Sequence, residues 1–208
     1  MKDTRWALIV IVVLMVSSCG KELNNPFDPE AGSPREAYFA YGLDRFNSGD
    51  FKEALGGFQK SVEIDPTFAL GHAGMGWSSL FSGDPIIAIA EFSLALQGQN
   101  DLPDALLGLA AAALAVGDYE KAESNAERLI STFSEDESKL IFADKPLERG
   151  YLILAESRFY LGRYSDAISA IQKLDSELRL DPSDDKFPEK FMKELTRLRE
   201  GIEGEEGS

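Results

Sequence analysis

A glycine that recurs at a fixed interval constrains the fold of this 208-residue chain more than any other feature. Four tripeptides each follow an apolar stretch with helical spacing: Gly49-Asp50-Phe51, Gly83-Asp84-Pro85, Gly117-Asp118-Tyr119 and Gly162-Arg163-Tyr164. The first three glycines are 34 residues apart, and the fourth follows after 45, so eleven extra residues lie around Phe133 to Pro146. A repeat of this length predicts an array of stacked helical units.

Two other positions of each unit hold small residues. When the recurring glycine is counted as residue 15 of its unit, position 8 holds Gly42, Gly76, Ala110 and Ala155. Position 20 holds Ala54, Ala88, Ala122 and Ala167. These residues resemble the tetratricopeptide repeat (TPR), a helix-turn-helix unit whose two helices pack closely at the small positions 8 and 20.

The resemblance implies an all-α fold, a TPR-type α-solenoid of about four helix-turn-helix repeats with a C-terminal capping helix. The expected repeats cover about 35–68, 69–102, 103–136 and 148–181. An amphipathic stripe that starts at Pro188 predicts the capping helix at 187–200, and residues 201–208 are expected to be a disordered tail. The eleven extra residues form either a longer loop or a lengthened second helix.

In the TPR family, the first helices line a concave surface, with ligand-facing residues at positions 2, 5, 9, 12 and 13. In this chain those positions are largely apolar and hold no cluster of Lys and Asn, so the carboxylate clamp of some TPR proteins is not indicated. We expect the groove to bind an apolar peptide or helix, with aromatic anchors Phe39, Phe46, Trp77 and Phe81. The full set of expected groove residues is Phe39, Leu43, Phe46, Asn47, Trp77, Phe81, Leu107, Phe159 and Tyr160.

An alternative for the same aromatic residues is a purely structural role. Their side chains would then pack against neighbouring helices, or be covered by the chain's own N-terminal tether or C-terminal helix. Both interpretations place the residues on the first helices, so the sequence pattern leaves the choice open.

The first nineteen residues have the layout of a secretory signal. Lys2 and Arg5 precede an unbroken apolar run of eleven residues, Trp6 to Val16. This run is shorter than the roughly 20 residues of a membrane-spanning helix and fits the apolar region of a signal peptide. The following Ser17-Ser18-Cys19 completes a resemblance to the lipobox of bacterial lipoproteins. The alternatives are a start-transfer anchor with a chance cysteine, or a buried core thiol.

The lipobox resemblance implies a signal peptide at 1–18, a lipid on Cys19 and a flexible tether at 19–34. Gly20, rather than Asp, follows the cysteine, which in Gram-negative lipoproteins usually implies sorting to the outer membrane. We therefore expect an exported protein on the periplasmic side of the outer membrane, or on the cell membrane if the envelope is Gram-positive. The formal charge of −15 gives no help in approaching an anionic surface, so attachment depends on acyl chains.

Composition excludes several classes of function. One cysteine and one histidine exclude a disulfide framework and the usual multi-Cys or multi-His metal sites. The 36 acidic against 21 basic residues, with no Lys/Arg stripe, argue against nucleic-acid binding. His72 falls at a core position, and the sequence contains no catalytic triad or phosphate-loop motif. We expect no enzymatic activity and no cofactor besides the covalent lipid on Cys19.

These features predict a lipid-anchored adaptor or assembly factor of the bacterial envelope, with an envelope protein or peptide as partner. Small lipoproteins of this repeat class include the pilotin-like factors of secretins and the accessory lipoprotein of the barrel-assembly machine. The open alternatives are a periplasmic carrier, a cell-wall enzyme accessory and a self-assembling structural lipoprotein. Neither the partner's identity nor the oligomeric state follows from these residues.

Overall fold

The computed structural model describes residues 33–133 and 140–204, which contain α-helices and their connections but no strand. The helices are α1 (Pro34–Asn47), α2 (Phe51–Ile64), α3 (Ala69–Phe81), α4 (Pro85–Gly98), α5 (Pro103–Val116), α6 (Tyr119–Thr132), α7 (Pro146–Tyr160), α8 (Tyr164–Ile171) and α9 (Phe187–Gly204). From α1 to α8 each helix packs against the next, which gives four stacked helix pairs. The predicted signal peptide, Cys19 and most of the tether lie outside the described residues.

The recurring glycines form the turns inside the helix pairs. The φ angle is 79° at Gly49, 88° at Gly83, 80° at Gly117 and 74° at Gly162. A Cβ atom disfavours this left-handed conformation, so glycine ends the first helix of each pair. The second helix starts two residues later in all four pairs, and each pair starts within two residues of its expected repeat.

Two phenylalanines of the second helices are wedged between glycines of the first helices on either side. A Cβ atom added to Gly42 of α1, or to Gly74 of α3, would lie 2.7 Å from the ring of Phe58 in α2. The same wedge recurs 34 residues later around Phe92, Gly76 and Gly108. The spacing between successive first helices therefore depends on glycines that leave room for a ring.

At the junction between the third and fourth pairs, a small residue replaces the phenylalanine and a large residue replaces the glycine that follows it. At the position of Phe92, α6 has Ala126, and at the position of Gly108, α7 has Ile153. Both residues are buried. The large side chain has thus moved from the second helix to the following first helix.

The extra residues before the fourth pair do not lengthen the second helix of the third pair. Helix α6 has 14 residues, as do α2 and α4, and it ends at Thr132. Residues 140–145 are non-helical and lead directly into α7, while 134–139 lie outside the described residues. Of the two alternatives left open by the sequence, the structure therefore excludes a lengthened second helix, and the described residues 140–145 are non-helical.

The C-terminal helix α9 folds back along α7. The rings of Phe159 in α7 and Phe191 in α9 stack with centroids 4.7 Å apart. At the opposite end of α7, the ammonium of Lys145 donates to the carbonyl oxygen of Ile202 at 3.0 Å. Residues 201–204, expected in a disordered tail, are helical because α9 continues to Gly204.

A pair of glycine-to-alanine substitutions tests the wedges. Gly108→Ala would place a Cβ 2.2 Å from the ring of Phe92, so we expect the free energy of unfolding to fall by about 1–3 kcal/mol through overpacking. Gly56→Ala is the control, because no atom lies within 4 Å of that Cβ and alanine favours a helix over glycine by about 0.5–1 kcal/mol. Urea unfolding followed by circular dichroism measures both. A Gly108→Ala variant as stable as the parent would contradict the wedge.

Candidate binding groove

The expected anchors of the first two repeats lie together on one side of the helix stack. Phe46 of α1 and Phe81 of α3 have ring centroids 5.6 Å apart, and Trp77 stacks against Phe81 at 5.9 Å. Phe39 lies two helical turns before Phe46 and packs on Phe58 at 5.5 Å. The four residues thus line one aromatic surface across α1 and α3.

The loop before α7 inserts Phe142 into this surface. Only 6% of Phe142 is exposed. Its ring centroid lies 5.3 Å from Phe46, 5.6 Å from Phe58 and 6.4 Å from Phe39, with the rings edge to face, which is a favoured arrangement for aromatic pairs. This loop is a third segment, distinct from the tether and the C-terminal helix that the sequence suggests as covers.

Asp104, in the first turn of α5, holds the loop against the helices. Its Oδ1 atom accepts the backbone N–H of Phe142 at 3.0 Å, and its carbonyl oxygen accepts the indole N–H of Trp77 at 3.1 Å. The residue is 4% exposed. Burial raises the pKa of the Asp104 carboxyl above its ordinary value, although the backbone amides of Phe142 and Ile141 act in the opposite direction. One buried residue therefore joins α3, α5 and the loop.

The groove residues of the fourth repeat are partly covered by α9. Phe159 stacks on Phe191 with nearly parallel rings, and Glu156 of α7 pairs with Arg199 of α9 at 2.5 Å. Tyr160 stacks on Tyr119 of α6 at 4.7 Å and remains about half exposed. The C-terminal helix thus covers Phe159, in agreement with one of the alternatives drawn from the sequence, but leaves Tyr160 accessible.

The other expected groove residues differ in accessibility. Leu107 and Trp77 are buried in this conformation, Leu43 is half-buried, and Asn47 is exposed at the end of α1. Phe81 is 54% exposed. A partner that approaches this conformation therefore meets Phe81 and Asn47 before the buried members of the set.

An open cavity of about 420 Å³ remains beside the loop. Its lining consists of residues 140–144 together with Phe46, Asn47, Trp77, Phe81, Arg149 and Glu203. The volume lies within the range of about 300–1,000 Å³ typical of ligand pockets. The cavity lining thus combines aromatic and charged side chains.

Buried polar groups outside the groove join helices to one another. Nδ1 of His72 lies 2.8 Å from Oε2 of Glu91, and its Nε2 lies 3.1 Å from the carbonyl oxygen of Pro66. Glu123 of α6 accepts from Arg158 at 3.0 Å and from Arg163 at 2.5 Å. Within 33–133 and 140–204, no group of three His, Cys, Asp or Glu side chains is placed to hold a metal, and no helix has the length and hydropathy to cross a bilayer.

Comparison with solved structures supports the TPR-type architecture. The MamA RS-1 ArsTM double mutant superposes with a TM-score of 0.62 at 17% identity, over 82% of this chain and 97% of that chain. For pilF of Pseudomonas aeruginosa the TM-score is 0.59 at 20% identity, over 79% and 72% of the two chains. The Sgt2 TPR domain of Aspergillus fumigatus gives 0.53 at 16% identity, over 76% and 91%. The fold is a TPR-type α-solenoid.

Sequence comparison adds one curated relative. The chain is 33% identical to the human DnaJ homolog subfamily C member 7 over 148 residues, which cover 64% of this chain. The match covers 26% of the human protein, so the chain spans about a quarter of that relative's length. No family model matches the chain.

Replacing Asp104 tests its buried carboxyl. Because the native pKa is raised, the native state binds more protons than the unfolded state between the unfolded pKa, about 3.9, and the native pKa. Stability contributed by this group is therefore present below about pH 4 and lost as pH rises through the native pKa. Asp104→Asn keeps an oxygen acceptor and removes the charge. We expect its stability relative to the parent to improve as pH increases, measured by urea unfolding from about pH 4 to pH 7.5.

Asp104→Ala is the companion variant. It removes both the charge and the acceptor of the Phe142 N–H, so it should be less stable than Asp104→Asn by about 1 kcal/mol or more at every pH. A constant difference between Asp104→Asn and the parent across the pH series would contradict the raised pKa. Equal stability of the two variants would contradict the hydrogen bond.

Proposed function

We propose that the protein is a lipid-anchored adaptor or assembly factor of a bacterial envelope, and that it binds a protein segment in the groove between α1 and α3. The observation that carries this proposal is the half-exposed Phe81 at the edge of an aromatic cavity. Aromatic side chains, phenylalanine included, are enriched at protein interfaces, and α-solenoids use their concave surfaces for recognition.

The cavity lining favours an apolar side chain of the partner. Phe46, Trp77 and Phe81 form its aromatic wall. The charged lining residues are two acids, Asp144 and Glu203, and one base, Arg149. This balance gives no electrostatic advantage to an acidic peptide, because such a ligand needs an excess of positive charge.

The proposed anchor is Cys19, which lies outside the described residues. Its support is the sequence: a basic start, a short apolar run, two serines and a lone cysteine. Because α1 starts at Pro34, fifteen residues (19–33) separate the lipid from the solenoid. A flexible chain of this length has a root-mean-square span of about 20–25 Å. The proposed location is the periplasmic face of the outer membrane, or the cell membrane of a Gram-positive envelope.

A self-assembling structural lipoprotein is a second candidate, favoured by the outer face of α4. Ile86 and Ile87 are 69% and 53% exposed, and Leu94 is exposed on the same helix. Apolar side chains grouped on one exposed helix are unusual on a monomer and are typical of interaction surfaces. Self-association through α4 would leave the groove free.

Cys19→Ala tests the anchor. The parent chain, expressed in a diderm bacterium, should incorporate radiolabelled palmitate and fractionate with the outer membrane, because acyl chains alone attach this acidic protein. Cys19→Ala should incorporate no label and leave the outer-membrane fraction. Asn24→Ala, which lies in the tether after the lipobox and keeps the cysteine, is the matched control. A palmitate-free parent, or a Cys19→Ala variant still labelled, would contradict lipidation of Cys19.

Phe81→Ala tests the groove, with Ile87→Ala as a control of equal exposure on α4. Both are surface truncations, and circular dichroism should show unchanged helicity. After crosslinking in the native host, Phe81→Ala should recover the main envelope partner about thirtyfold less, because truncating a hot spot costs about 2 kcal/mol and each 1.4 kcal/mol is tenfold in affinity. Ile87→Ala should recover it as the parent does. Loss with Ile87→Ala alone would favour the α4 surface instead.

A further inference from the structure

The non-helical segment Leu140–Asp144, called the strap below, lies in the groove in the manner of a bound peptide. It directs the ring of Phe142 between Phe46 and Phe58 and donates its backbone N–H to Asp104. The carbonyl oxygen of Asp144 accepts Nε–H of Arg149 at 2.9 Å. One side chain in a pocket combined with backbone hydrogen bonds is a common mode of peptide recognition.

The strap covers the same surface that the sequence assigns to a partner. Phe39 and Phe46 occupy ligand-facing positions of α1, and both rings contact Phe142. A partner side chain cannot occupy the space next to both rings that Phe142 fills while Phe142 remains there, because packed interiors leave no room for both. Binding at this place therefore requires the strap to move.

The strap has few attachments of its own. Phe142 is its one buried residue, whereas Ile141 and Asp144 are exposed, and Leu140 and Ala143 are half-buried. The strap competes with a partner because it is covalently linked to α7. A short link of this kind gives the attached segment an effective concentration of about the millimolar range. A partner that also contacts Phe81 and the open cavity gains interactions that the strap lacks.

We propose that the strap is an internal competitor of the partner, and that the partner is an extended segment whose aromatic side chain replaces Phe142 and whose backbone N–H donates to Asp104. This inference rests on the proposed function of the groove. It specifies the ligand further: an aromatic residue with apolar neighbours, in an extended rather than helical backbone.

The position of Asp104 sets a second requirement. Its Oδ1 atom meets a backbone N–H and not a side chain, so the residue at the aromatic position must retain its amide hydrogen. A helical ligand uses most of these hydrogens internally, and an N-methylated residue has none. Affinity for an N-methylated aromatic residue therefore separates this mode from simple apolar contact.

The experiment uses the full chain in detergent with Trp6→Phe, which leaves Trp77 as the only tryptophan. Because Trp77 donates to Asp104 and lines the cavity, its fluorescence reports on the strap. The probe is a capped peptide with the strap sequence, Leu-Ile-Phe-Ala-Asp. It is titrated into the parent, into Phe142→Ala, and into Phe133→Ala, which removes a phenylalanine from the same connection but not from the cavity lining.

Phe142→Ala should bind the peptide about tenfold or more tightly than the parent and Phe133→Ala, since opening the site removes the population cost of closure. The peptide with N-methylphenylalanine should bind Phe142→Ala about tenfold more weakly, through loss of a hydrogen bond to a charged group. Equal affinity for the parent and Phe142→Ala would overturn the proposal. A folded Phe142→Ala variant that binds no peptide would also overturn it.

Phe142→Leu keeps the inference testable if Phe142→Ala loses helicity. This variant keeps an apolar side chain in the groove, and its affinity should exceed that of the parent; an unchanged affinity would overturn the proposal. Failure of the proposed function has a different signature: the peptide binds Phe142→Ala, but crosslinking in the native host recovers no envelope protein with any variant. Conversely, recovery of one partner to the same extent by the parent and Phe142→Ala would overturn the competitor role alone.

Discussion

The close approach of successive first helices to the phenylalanine between them is the constraint on which the rest of the structure depends. Phe58 and Phe92 each fill the space left by two glycines, one on the preceding first helix and one on the following. This spacing brings α1 and α3 near enough for Phe46, Trp77 and Phe81 to form one surface. A larger residue at Gly42 or Gly74 would separate α1 from α3 and disperse that surface.

Other segments of the chain already cover most of this surface. Phe142 fills the space between α1 and α2, Asp104 fixes both the loop and Trp77, and α9 covers Phe159. What remains for a partner is the edge of the groove around Phe81 and the adjoining cavity. The groove is thus occupied by a loop of the chain itself, and under the proposed function the affinity of a partner depends on the free energy needed to displace Phe142.

The sequence predicts the parts of this arrangement that repeat. The turn glycines and the small positions of the helix pairs follow from the repeat, and the resemblance to the TPR family is what singles out the four groove aromatics. The groove's occupant does not follow from either, because Phe142 lies in an insertion that has no counterpart in the other repeats, and its contacts with α1 span about a hundred residues of sequence. The sequence feature that points to burial of Phe142 is the apolar triplet Leu140-Ile141-Phe142 after a polar stretch. The burial of Asp104 depends on the same long-range contact.

Hydrogen exchange of the Phe142 backbone amide in the full chain tests this account most directly. The N–H is in a loop without helical hydrogen bonds, so its protection depends on the buried Asp104 carboxylate. The account predicts that this amide exchanges far more slowly than an unstructured amide, and that the protection is lost in Asp104→Ala. Exchange of the Phe142 amide at the unprotected rate in the parent chain would contradict the occupied groove.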